Sequence, residues 1–193
     1  MFKHLFNEKK AAQAAAYFLF CAQEAMPIIK LMKLLYLAER RSYEKYGQPI
    51  VGDRLVSMPH GPVLSQTLNH LNGLMPSSEG GWDSWISDRA SHLVALAPQA
   101  AGKSQNDLVE LSDADVQIFA ETWDQFGRMT EWQLSDFTHD HCPEWTDPDG
   151  SMVPMKFEEL FKALNFTSDQ TREYVSRLKE QNNINAAFAA SHL

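Results

Sequence analysis

Apolar positions along the chain recur in blocks of changing period, and the longest block, residues 26–46, sets the frame. Pro27 suits a first helical turn and Gly47 suits the left-handed position after a last one. About twenty residues without Gly or Pro lie between them, roughly 30 Å of helix. At about 100° per residue, Lys30, Lys33, Arg40, Arg41 and Glu44 share one arc, with Leu37 in their midst. Ile28, Ile29, Leu31, Met32, Leu34, Leu35, Tyr36, Ala38, Tyr43 and Tyr46 take most of the remaining girth, which predicts a central helix packed on several sides. Glu39 lies opposite the basic strip among these apolar residues. A carboxylate there needs hydrogen bonds or an ion pair, and Arg54 or an N–H of the 60–63 segment is the expected partner.

The other blocks predict shorter elements. Asn7 caps a helix running to about residue 24, and Leu55-Val56-Ser57-Met58 reads as a strand. Ser65 is placed as the N-cap of a helix reaching about residue 74. Residues 91–96 and 107–111 are expected to pair as a hairpin across a polar turn. Helices follow from Ser112, from Thr130, over about 156–164 and from 167–169 onward. The tail from Gln181 is a weak, Ala-rich helix or disordered, so the expected organisation is one domain over 1–180 and a weakly structured tail over 181–193.

Several of these residues form a recognisable series. Lys30-Leu31, Lys33-Leu34-Leu35-Tyr36, Ala38, Arg40 and Tyr46-Gly47 are followed by His60-Gly61-Pro62-Val63, then by Leu134-Ser135, Thr138-His139 and Trp145. In order and spacing the series resembles the Panacea domain, the SocA-like antitoxin family also found in phage-associated proteins; Glu39 stands where Asp is common. The resemblance spans about residues 8–165. The elements read above make a mainly α fold with a small antiparallel sheet, built around the helix 27–46, and the resemblance implies a bacterial toxin–antitoxin role, in which a folded module binds and neutralises a cognate toxin protein. It also implies, as a related possibility, a proteolytic adaptor that tethers the toxin to a AAA+ protease. No cofactor and no metal role comes with it.

Composition adds two constraints. With 44% hydrophobic residues in 193, a core forms without metal or disulfide staples, and Cys21 and Cys142 make no CxxC pair, which favours free thiols in a cytoplasmic setting. The apolar run 11–22 after Lys9-Lys10 mimics a signal peptide, but Glu8 and the missing small-residue cleavage site argue against one, and the run is too short to span a bilayer. The net charge of −8 hides a division: residues 107–150 carry twelve acids against the single base Arg128. Phosphate contacts need a basic face, so nucleic acid is not an expected partner, and neither is a membrane.

The basic strip is therefore open to two readings. Either it is solvated or covered by the acidic segment, or Lys30, Lys33, Leu37, Arg40 and Arg41 form a partner-binding surface, with Leu37 as apolar anchor in a charged rim. For chemistry, Asp136, His139, His141 and Cys142 cluster, but no second ligand pair suits zinc, and no recognised catalytic motif is present. The expectation is a binding protein rather than an enzyme. The alternative is a small hydrolase or metalloprotein centred on His139, His141 and Cys142.

Overall fold

A computed structural model describes residues 2–23, 25–87 and 90–191. The central helix is α2 (Ile28–Tyr46), and nine consecutive residues within it, 31–39, are buried. A helix buried around its whole girth must be enclosed, and α2 is: α1 (Glu8–Ala22), α4 (Asp113–Phe126) and α5 (Glu131–His141) all pack on it. Gly47 ends α2 at φ +66°, donating its N–H to the Tyr43 carbonyl, and the ring of Tyr174 lies where a Cβ would go.

The apolar run that mimics a signal sequence is the buried body of α1, where Ala11 through Leu19 are all inside. Asn7 caps it as its side chain predicts. Even Gln13 is buried, and its Oε1 accepts the backbone N–H of Glu110.

Two small antiparallel sheets flank the helices. β1 (Met26–Pro27) pairs with β4 (Leu93–Val94), and β2 (Leu55–Met58) lies between β3 (Gly61–Leu64) and β5 (Val153–Pro154). The expected hairpin of 91–96 with 107–111 is corrected. Leu93–Val94 pairs instead with the chain entering α2, and residues 105–107 form a 3-10 turn. The Glu110 N–H is taken by Gln13, which leaves that segment no ladder to join.

Helix α3 (Ser65–Leu71) begins at Ser65 and stops short of residue 74. Its cap is not Ser65, whose hydroxyl accepts from Arg54 Nε, but Asp53, which receives the N–H groups of Gln66 and Thr67 and the Thr67 hydroxyl. Capping boxes open α4 at Ser112 and α5 at Thr130. α6 (Phe157–Ala163) and α7 (Ser168–Ser191) complete the chain. α7 runs as helix through the expected tail, where Asn182 and Asn185 bond to the backbone of His4. Among the described residues no helix is long and apolar enough to cross a membrane.

Candidate functional site

Much of the series converges on one place, the junction of α2, the β2–β3 hairpin and α5, whereas Tyr46-Gly47 lies at the far end of α2 beside Tyr174. Met58 pairs with Gly61 across a two-residue tip, Pro59-His60. Three carbonyls around this tip accept side-chain donors from the helices beside it. Trp145 Nε1 donates to Met58 O at 3.0 Å, Ser135 Oγ to His60 O at 2.9 Å, and Lys33 Nζ to Pro62 O at 2.8 Å. The hairpin is thereby fastened to α5 and to the core of the central helix.

Gly61 is the point of closest approach. It sits at φ +98°, and a Cβ there would lie 2.6 Å from Thr138 Oγ1, 2.9 Å from Lys33 Nζ and 3.2 Å from His139 Nε2. Only glycine suits both that conformation and that space. His139 stacks on Trp145 with centroids 4.1 Å apart, and its Nε2 is buried without a hydrogen-bond partner in the described residues. Burial lowers the His139 pKa, and the nearby Lys33 cation lowers it further. Lys33 itself is only 1% exposed, and burial pulls its amine down to about 7.

A second polar knot lies one turn along α2. The buried Glu144 carboxylate accepts from the Tyr36 hydroxyl at 2.5 Å and from Arg40 Nε at 2.7 Å. Burial holds the Tyr36 phenol well above its usual pKa, so it serves as a donor. On the other side of the helix, Glu39 is buried as its position predicts, with partners other than the expected ones. It accepts the N–H groups of Ile50, Val51 and Gly52 at 2.9, 3.0 and 2.9 Å. Arg54 and the 60–63 segment are not involved. Burial raises the Glu39 pKa to about 7, against the pull of those three donors.

The basic strip is covered by the acidic segment. Lys30 donates to Gly127 O at 2.7 Å and lies over the Trp123 ring; Arg40 pairs with Glu144; Arg41 bonds to Gln125 and lies near Glu121. Lys33 and Leu37 are buried. The expectation that Lys30, Lys33, Leu37, Arg40 and Arg41 present a partner surface is corrected: Lys33 and Leu37 are inside, and Lys30, Arg40 and Arg41 are taken up by Gly127 and Trp123, by Glu144 after α5, and by Gln125 and Glu121 of α4.

The cluster that prompted the metalloprotein alternative is dispersed. His139 faces Trp145, whereas His141 stacks on Phe137 at 4.3 Å with its Nδ1 against the Phe137 carbonyl. The Cys142 thiol is buried and pushed up to about 12 by that burial, far from a reactive thiolate. Among the described residues no group of three or more His, Cys, Asp or Glu is arranged to hold a metal.

Two buried acceptors carry no signal of their partners in the sequence: Asp53 and Glu144. For Glu144 no register could be read because it and Arg40 are separated by 104 residues.

The sequence profile of the family described as antitoxin SocA-like, Panacea domain, matches residues 31–146, more than half of the chain. The chain belongs to that family. The matched stretch opens in the buried part of α2 and closes just after Trp145, so it contains both knots and the fastened hairpin. No curated protein and no solved structure matches the chain.

Proposed function

We propose that this chain is an antitoxin that binds a cognate toxin protein directly and neutralises it, acting by contact rather than by catalysis, in the cytoplasm. The observation that carries the reading is the family membership over residues 31–146. The site chemistry supports it. Three of the buried ionisable groups are taken up in architecture: Lys33 on Pro62, Glu39 on three N–H groups, and Glu144 on Tyr36 and Arg40. None of them forms a nucleophile–base pair facing a cleft. Free Cys21 and Cys142 accord with a reducing compartment.

Delivery of the toxin to a AAA+ protease is the second reading. An adaptor needs another contact surface, and α7, with only Val175 and Leu178 buried among its described residues, offers one. Co-expression with the product of the neighbouring reading frame tests both. The expected result is growth arrest by the neighbour alone and growth when both are made. A toxin half-life unchanged by this chain favours direct neutralisation, whereas a shortened one favours the adaptor. A harmless neighbour, or one whose toxicity persists, overturns the antitoxin reading.

A further inference from the structure

The acids of the 107–150 segment fall into two populations. Asp115 and Glu144 face inward, paired with Lys10 and Arg40, and the partly exposed Glu121 is paired with Arg41 and Lys45. Those on the outside of α5 have no ion pair among the described residues. Asp136 and Asp140 are exposed there one helical turn apart, and Asp147 joins them around His139. Like charges at that spacing weaken an isolated helix, so nothing in the fold of α5 itself favours them.

Trp132 stands one turn before Asp136 on the same face and is 55% exposed. The exposed His60 imidazole at the hairpin tip meets its ring edge to face at 5.7 Å. The tip is held by Ser135 and Lys33, so this aromatic ledge stands on fastened backbone. An indole more than half exposed, one helical turn from a carboxylate with no ion pair among the described residues, is chemistry suited to a guanidinium or ammonium group. The ring attracts the cation and the carboxylates accept its N–H donors.

We propose that the outer face of α5, with Trp132 as anchor and Asp136 and Asp140 as charge partners, docks an arginine- or lysine-bearing segment of the toxin. This rests on the antitoxin reading for the identity of the partner. The charge of the face sets the chemistry of the occupant: a basic protein segment fits, and a nucleic acid does not.

The test has two arms. In the first, an oligo-arginine peptide and an oligo-glutamate peptide of equal length are titrated against the full chain, and binding is read from tryptophan fluorescence and calorimetry. Only the arginine peptide is expected to bind. Trp132→Ala, and Asp136→Lys with Asp140→Lys, should each weaken it at least about tenfold, while the equal charge change Asp169→Lys with Glu173→Lys on α7 should not. In the second arm, the same variants are co-expressed with the toxin and should fail to rescue growth.

Circular dichroism establishes that each variant is folded. If the reversed pair unfolds, Asp136→Asn with Asp140→Asn keeps the side-chain shape and should show the same direction of loss. Equal weakening by the α7 reversal would mean that net charge alone attracts the peptide, and would overturn the proposal. So would full rescue by folded Trp132→Ala. Failure of the wild-type chain to rescue growth would sink the antitoxin reading, and the peptide arm would still decide the surface.

Discussion

Removing the Glu144 carboxylate is the sharpest perturbation of the interior. Glu144→Ala takes the acceptor from the Tyr36 hydroxyl and from Arg40 Nε at once. The hydroxyl is fully buried, and leaving such a donor without a partner costs about 1–3 kcal/mol. Arg40 is different, because 17% of its side chain reaches solvent. The roughly 3–5 kcal/mol of a broken, fully buried ion pair must be discounted there to about 1–2 kcal/mol. The expected total is therefore about 2–5 kcal/mol, a large fraction of the stability of an ordinary domain.

Urea unfolding followed by far-ultraviolet circular dichroism gives the loss, with an unchanged slope showing that the same surface is exposed. Tyr36→Phe removes the donor along with its demand. The double variant Tyr36→Phe with Glu144→Ala should thus lose less than the sum of the single changes, by about 1 kcal/mol or more. A Glu144→Ala loss below about 0.5 kcal/mol, the scale of an exposed substitution, would refute the reasoning. Strict additivity would place the Tyr36 hydroxyl in another bond.

Other perturbations act on the same architecture. Gly61→Ala, forced into a left-handed conformation against Thr138 and Lys33, should cost about 2–4 kcal/mol in the same urea assay; a loss under about 0.5 kcal/mol would mean that the hairpin tip yields freely. Glu39→Ala strands three buried N–H groups and should cost about 3 kcal/mol or more, with Glu39→Gln recovering part of it; equal losses for the two would contradict the assigned acceptor role. Lys33 carries a pH signature. Its folded pKa of about 7 lies below the unfolded value of 10.5, so above pH 7 the unfolded chain holds more protons and stability rises with pH. Between pH 7 and about pH 8, where the unfolded Cys142 thiol and Tyr36 phenol are still mostly protonated, this adds about 1 kcal/mol. The rise appears in the difference between wild type and Lys33→Met, which also removes the opposing slope of Glu39; a pH-independent difference would mean that Lys33 stays charged when folded.

Local signals carried most of the architecture into the sequence. The caps Asn7, Ser112 and Thr130 and the stop at Gly47 act within one turn of the backbone they serve, so they could be read directly. The position of Glu39 on an apolar arc announced its burial. Its acceptor role was legible but its donors were not, because residues 50–52 reach it only when the chain folds back after Gly47. The sequence leaves the basic strip open between a covered face and a partner surface for a related reason. Helical periodicity sorts residues by face without saying which face another helix will cover, and here the cover is the acidic segment far along the chain. Pairing of β1 with β4 escaped notice because two-residue strands leave no periodicity to detect. The exposed Trp132 gave no separate signal, since a tryptophan on a short amphipathic helix is ordinarily core.

Neutralisation by direct contact is tested by reconstitution from purified components. The toxin's inhibited target is assayed with toxin alone and then with increasing amounts of this chain, with no protease or ATP present. The expected result is a stable complex on size-exclusion chromatography and full relief of inhibition at stoichiometric chain. Relief that requires protease and ATP, or a toxin that remains active while the chain is in excess, would contradict it.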